Sequence, residues 1–370
     1  MHVHQFLPVL DKGDAIGNHA MALRNLLRRK GLQSDIYVWR AGKGMKGECL
    51  PYRKHRAVSS ADHVAVLHFS IGSPLTAYVK GLPDKKVMVY HNVTPEKYFI
   101  GISEHVYYIA RSGRKELASV GGSMDLCFCD SEFNRRDLME LGYGNIHVIP
   151  LLMEFSLLDV PPDTRVQDRY SDGWKNILFV GRIAPNKKQE DVIRVFYYYK
   201  KFINSDSRLF LIGTPRQTPR YQAILEDLVQ RLGLDDVIFT GAVSQPELVA
   251  YYKVADAFVC MSEHEGFGVP LVEAMHFRVP IVALDAGAVP ETLGGAGVLV
   301  RKKDHGAIAE LIDLLLSDEE LRSRILERQD ERLRYFGNTD EMEGRLLKEI
   351  MALTNQEAGQ ATRKDSRWKR

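Results

Sequence analysis

Two glutamates separated by seven residues, Glu265 and Glu273, flank a glycine-rich turn in Ser262-Glu263-His264-Glu265-Gly266-Phe267-Gly268-Val269-Pro270-Leu271-Val272-Glu273-Ala274-Met275. Gly266 and Gly268 permit a tight turn and a close backbone approach to a ligand. Pro270 suits the first turn of a helix, so the amides near Gly268 and Val269 would form an anion site. Two carboxylates there suit a ligand with hydroxyls flanking its phosphates, such as a sugar nucleotide. The same spacing also suits a capped surface helix with solvated glutamates. A second group follows the strand pattern ending at Gly181, in Phe179-Val180-Gly181-Arg182-Ile183-Ala184-Pro185-Asn186-Lys187-Lys188. Cations placed there neutralise a diphosphate whose charge grows as a sugar leaves. At a helix start they oppose the dipole, which argues against a merely structural role.

Three further elements sit in the first half of the chain. His91 ends a strand pattern in Tyr90-His91-Asn92-Val93-Thr94-Pro95, and His68 ends the preceding one. Either histidine also suits a structural role. Gly13-Asp14-Ala15-Ile16-Gly17-Asn18-His19 lies between the first strand and the first helix, where amides would approach a diphosphate. Asp14 and Asn18 are candidates for acceptor hydroxyls, with His68 beside them. In Asp130-Ser131-Glu132-Phe133-Asn134-Arg135, Ser131 reads as a helix cap, with Glu132 and Arg135 as weaker candidates.

Alternating strands and helices must position these groups. Strand patterns fall at 2–7, 35–39, 64–68, 86–90, 125–129 and 146–149, then at 176–181, 208–213, 237–240, 257–260, 280–284 and 297–300. Helical spacing intervenes, as in Ile16, Ala20, Leu23 and Leu27. The expected class is α/β, with parallel sheets covered on both faces. Residues 155–175 carry Pro161 and Pro162 and no sustained periodicity, and read as an interdomain linker. The expected domains are 1–160 and 161–337. A capped helix at 338–355 would pack back on the first domain, and 356–370 form a basic polar tail.

Composition bounds the rest. The 370 residues are 45% hydrophobic and 26% charged, with 50 Lys plus Arg against 48 Asp plus Glu. That excludes a disordered, collagen-like or polytopic membrane chain, and no nucleic-acid partner is expected. The near-neutral total hides a polarity, because residues 1–160 carry 20 basic and 16 acidic groups and residues 161–362 carry 25 and 31. The N-terminus reads as a strand rather than a signal peptide, so a cytoplasmic location is expected. Cys49, Cys127, Cys129 and Cys260 form no CxxC pair, and no metal site is expected.

The frame Glu-Gly-Phe-Gly-x-Pro-x-x-Glu-Ala-Met closely resembles the signature of family 4 retaining glycosyltransferases. The resemblance runs over most of the chain and is strongest from about Asn176 to Val300. It implies the GT-B architecture, two Rossmann-like domains facing a cleft. It also implies that Glu265 contacts the donor sugar and Glu273 the ribose, while Gly266, Phe267, Gly268 and Val269 support the sugar and diphosphate. Arg182 and Lys187 after Gly181 would stabilise the leaving diphosphate, and Lys188 stands where the family often has Gly. His91 would lie near the transferred sugar, and Gly17 would replace one of a pair of adjacent glycines. Glu291, in a Gly-x-Pro-Glu-like turn, reads as structural.

The implied reaction is transfer of a hexose with retention, by front-face attack, without metal or resident cofactor. The donor leans to GDP-mannose, with UDP-hexoses close behind, and the acceptor is a growing glycan or lipid-linked saccharide. A basic acceptor domain and the tail cations around Trp368 would suit an anionic membrane at the inner face of the cell membrane. Two rivals stay open: a GT-B phosphorylase, and a non-catalytic nucleotide-sugar-binding or dinucleotide-binding protein. The last would need a GxGxxG turn, which the chain lacks.

Overall fold

A computed structural model describes residues 1–11 and 13–365, with side chains described as far as Leu353. The chain divides into two compact units. The first comprises 1–93, 109–153 and the segment from Asn338 onward, and the second 94–108 and 154–337.

In the first unit, strands β1 (Val3–Leu10), β2 (Ile36–Ala41), β3 (Leu50–Pro51), β4 (Val64–Phe69), β5 (Lys85–Tyr90), β6 (Leu126–Cys129) and β7 (Ile146–Val148) form one parallel sheet. Its order is β3-β2-β1-β4-β5-β6-β7. The second unit holds β8 (Lys175–Val180), β9 (Ser207–Ile212), β10 (Val237–Gly241), β11 (Ala257–Cys260), β12 (Ile281–Leu284) and β13 (Val298–Val300). These also pair in parallel, in the order β10-β9-β8-β11-β12-β13.

Fully buried runs such as Val64–Phe69 explain why the strands are continuous apolar stretches: helices cover both faces. The strand order reverses between β1 and β4 and again between β8 and β11. Ligands of doubly wound sheets bind at the carboxyl ends of strands at such reversals. Both groups of candidate residues lie there.

The domain bounds differ from expectation in three ways. The first unit's continuous part gives way to the second after Met153, not after 160. The expected linker at 155–175 holds a helix, Thr164–Tyr170, whose cap Asp163 accepts from the Val166 amide at 3.1 Å. Tyr170 buries its ring 4.7 Å from that of Phe210, which ties this helix to the second unit. A seven-residue helix with one buried side chain has too few turns to show a period. Finally, residues 94–108 belong to the second unit, and Ile102 packs against its core.

The helix Thr339–Asp365 runs past its expected end, through a stretch without proline. Met342, Leu346 and Ile350 are buried, and Arg345 donates to the Val148 carbonyl at 3.2 Å. The tail cations and Trp368 lie outside the described residues and side chains. All four cysteines are buried and unbridged. Among the described residues no helix is long and apolar enough to cross a membrane.

Three histidines of the first unit make its stability depend on pH. Burial, aided by neighbouring imidazoles, lowers His4 to about 4 and His19 to about 3, and holds His68 well below the ordinary 6.5. Below 6.5 the unfolded chain therefore binds protons that the folded one does not, so stability is full above that pH and falls beneath it. Each imidazole costs up to about 1.4 kcal/mol per pH unit in that window. Tm should fall steeply between pH 6.5 and pH 5, and a flat profile there contradicts the burial of these rings as neutral species.

Candidate active site

In the second unit, Gly181 and Gly213 end the adjacent strands β8 and β9 at φ 153° and 150°. A Cβ on Gly213 would stand 1.9 Å from the Gly181 carbonyl oxygen. This close approach turns the chain out of the sheet into Arg182. Gln189 donates to the Arg182 carbonyl at 2.8 Å and holds the following loop shut. The loop ends in a tight turn, Pro185–Lys187, and Lys188 adopts left-handed φ 53° before the helix Gln189–Tyr198. That conformation favours glycine, in line with the Gly that the resemblance expects at 188.

The loop after β11 is tied to this turn. The Glu263 amide donates to the Asn186 carbonyl at 2.9 Å, and Asn186 Nδ2 to the His264 carbonyl at 3.1 Å. Behind it, the Ala288 amide donates to the Glu265 carbonyl at 3.0 Å, and a Cβ on Gly287 would lie 2.7 Å from that oxygen. Held from both sides, Glu265 receives Lys187 Nζ on both carboxylate oxygens at 2.6 Å. The two side chains are 11% and 15% exposed. Arg182 is exposed, and no ion pair of its guanidinium is found among the described residues.

The turn that follows is built as its sequence suggests. Gly268 takes φ 94° before the helix Val269–His276, with Pro270 in its first turn. Phe267 is buried, and its carbonyl accepts from the Thr292 hydroxyl at 2.5 Å. Glu273, on that helix, accepts from the Tyr252 hydroxyl at 2.8 Å. Burial pushes the Glu273 carboxyl upward, against the opposing effect of that hydrogen bond. Arg332 donates to the Glu291 carbonyl at 2.7 Å, which gives the backbone of this turn a structural tie.

The first unit collects its own group at the ends of β4, β5 and β6, beside Gln5 of β1 and His19 of the helix Ala15–Arg29. His91 Nδ1 lies 2.9 Å from Asp130 Oδ2, and His91 Nε2 lies 3.0 Å from His68 Nδ1. His68 Nε2 in turn lies 2.8 Å from Gln5 Oε1. His19 stands edge-on to both rings, its Nδ1 accepting from the Leu152 amide at 3.0 Å. The His91 side chain is only 2% exposed. Both its ring nitrogens are engaged, so a sugar hydroxyl reaches them only by displacing a partner. Burial raises the Asp130 carboxyl, while His91 pulls it down.

The first loop is more structural than expected. Asp14 caps the helix Ala15–Arg29, its carboxylate accepting from the Gly17 amide at 3.1 Å. Gly17 is buried, and a Cβ there would lie 3.1 Å from the Asp11 carbonyl oxygen. Asn18 is half-buried, and its backbone N–H donates to the Asp14 carbonyl at 2.9 Å.

Several partners escaped the sequence reading. Asp130 was overshadowed by the Ser131 cap, whose hydroxyl accepts from the Asn134 amide at 3.2 Å. Tyr98, Asp191, Lys303 and His305 carried no recognisable spacing. Among the described residues no group of three His, Cys, Asp or Glu is placed to hold a metal ion.

Two doubly wound parallel-sheet units with glycine-containing turns at their strand reversals make the GT-B fold. Residues 163–332 match the model of the family described as glycosyl transferases group 1. The chain is 31% identical over 173 residues to the N-acetyl-alpha-D-glucosaminyl L-malate synthase of Bacillus anthracis, covering 45% of this chain and 43% of that protein. It is 26% identical over 254 residues to the serotype-specific mannosyltransferase WbdA of Escherichia coli, covering 64% and 30%. The matched stretches thus span less than half of either relative. In fold, Anabaena HepE in complex with UDP superposes with a TM-score of 0.71 at 14% identity, covering 95% of this chain and all of that one.

Proposed function

We propose that this protein is a glycosyltransferase of glycan biosynthesis, moving a hexose from a nucleotide sugar to a glycan or lipid-linked saccharide with retention and without a metal or resident cofactor. The observation that carries this reading is the Lys187–Glu265 pair, a cation and a carboxylate presented together at the β8/β11 reversal. Lys187 and the exposed Arg182 supply charge to the diphosphate, and Glu265 accepts from sugar hydroxyls. Glu273, one helix turn beyond Val269, accepts from the ribose hydroxyls in this reading, in place of or beside the Tyr252 hydroxyl it holds now. In front-face attack the acceptor oxygen bonds to the sugar's anomeric carbon as the bond to the diphosphate breaks. The acceptor's proton passes to the departing diphosphate oxygen, so no protein nucleophile is needed.

The mannosyltransferase name of one relative supports GDP-mannose, and the UDP held by the Anabaena neighbour supports a UDP-hexose. The basic first domain supports contact with an anionic membrane surface. Its exposed Trp39 carries Arg40 stacked at 4.4 Å.

A panel of GDP- and UDP-sugars, screened by thermal shift and then by release of the nucleoside diphosphate, tests this reading. At least one donor should raise Tm and be consumed, with turnover unchanged by chelator. A protein that binds a donor and never consumes it is the non-catalytic alternative, and chelator-sensitive turnover rejects the metal-free reaction.

A further inference from the structure

Two adjacent lysines, Lys187 and Lys188, face two near-adjacent glutamates, Glu263 and Glu265, so two pairing registers are available. The structure holds one of them: Lys187 on Glu265 at 2.6 Å, and Lys188 on Glu263 at 3.6 Å. What selects it is the set of groups around Glu263. Lys303 Nζ donates to Glu263 at 2.5 Å and to the buried Asp191 at 2.6 Å. Asp191 is held from its other side by His305 at 3.0 Å and Arg194 at 3.1 Å. Tyr98 completes the set: burial and the nearby Glu263 carboxylate push its hydroxyl up, and its ring lies 6.0 Å from Lys188 Nζ.

Tyr98 comes from the 94–108 segment, which follows β5 in sequence yet packs in the second unit. We propose that Tyr98, Glu263 and Lys303 form a clamp that positions the Lys187–Glu265 pair, fixing the register in which Lys187 rather than Lys188 meets Glu265. The inference rests on the nucleotide-sugar reading of that pair. Glu263 is drawn toward Lys303 and Tyr98, and the backbone bond from its amide to Asn186 carries that placement to the next turn. His264 and Glu265 then follow in one orientation. Tyr98, Glu263 and Lys303 are positioning residues, acting through Glu265 and Lys187 without touching the donor.

The test uses Tyr98→Phe, which keeps the ring, and Lys303→Met with Lys303→Arg as the conservative partner. Lys187 reactivity is read first, by limited acetylation with acetic anhydride and peptide mass spectrometry. A misplaced Lys187 loses its carboxylate partner, so its labelling should rise about threefold or more in Tyr98→Phe and Lys303→Met. It should return toward the parent rate in Lys303→Arg. Hydrolysis of UDP-glucose and GDP-mannose is read second, where misplacement should lower kcat about tenfold while the Kd for UDP or GDP stays within about threefold. Unchanged Lys187 labelling overturns the clamp, whatever the donor results. So does a loss of turnover matched by a loss of folded protein in thermal melts. If labelling shifts as expected but the parent protein consumes neither donor, the clamp stands and the proposed function fails.

Discussion

Glu265→Gln should bind UDP and GDP more tightly than the parent protein while losing turnover of the sugar nucleotide. In the structure both carboxylate oxygens of Glu265 accept from Lys187 Nζ at 2.6 Å. A diphosphate arriving at Lys187 must therefore compete with a carboxylate already in place, and is repelled by it as well. At the effective dielectric of a half-buried pair, each unit-charge interaction near 4 Å is worth about 4 kcal/mol. Most of this cancels when one anion replaces another. A residual gain of about 1.4 kcal/mol on neutralising Glu265 is a tenfold tighter Kd. Turnover moves the other way, because Gln lacks the charge that orders the sugar hydroxyls and should cost at least about a hundredfold in kcat. Titration calorimetry with UDP and GDP, beside hydrolysis of the matching sugar nucleotide, reads both halves. Weaker binding of the free diphosphate in Glu265→Gln would show that Lys187 is not the group the diphosphate competes for.

Gly213→Ala should be the most damaging single methyl in the second unit. Its Cβ would stand 1.9 Å from the Gly181 carbonyl oxygen and 2.7 Å from its carbon, both backbone atoms that have no rotamer to escape into. Gly181 is itself fixed, its amide donating to the Ile212 carbonyl at 2.9 Å. The methyl therefore has to part the ends of β8 and β9, at a cost of about 3 kcal/mol. Arg182 and Lys187 leave the sheet from that point, so any surviving folded protein should also bind nucleotide poorly. Gly31→Asn is the comparison. Gly31 also has a positive φ, 77°, but nothing lies within 4 Å of its added carbon, and Asn tolerates that region. Thermal melts should show a large fall in Tm for Gly213→Ala and a small one for Gly31→Asn. Equal effects would mean that backbone conformation, not the close approach, governs the cost.

The two sheets were legible because buried parallel strands are continuous apolar runs, and Val64–Phe69 or Ile177–Val180 cannot easily be anything else. Leu50–Pro51 was not, since two residues with a proline make no run, although an edge position tolerates them. The placement of 94–108 in the second unit was equally invisible. Its assignment depends on Ile102 and Tyr98 meeting groups far along the chain, and tertiary packing leaves no local period.

The candidate site divides the same way. Glycines at turns and Pro270 at a helix start are local constraints, and the sequence displays them, whereas the positive φ of Lys188 is visible only in the structure. The meeting of Lys187 with Glu265 spans 78 residues and became visible only through a family-like frame. No such frame marked Asp130 beside His91, 39 residues away, or the hold of Lys303 on Glu263. Hydrogen-bond partners brought together by folding carry no spacing signal. His91 shows the cost of reading a residue alone. Its strand-end position was right, but the neighbours that occupy both ring nitrogens were out of view.

Release of UDP or GDP from a sugar nucleotide by the intact protein, compared with Lys187→Ala and Glu265→Ala, tests the central claim most directly. At least one GDP- or UDP-hexose should be consumed by the parent protein. Each variant should retain a normal melt and lose turnover by about a hundredfold or more. A Glu265→Ala protein that consumes the donor at the parent rate would contradict the assignment of this pair as the reacting site.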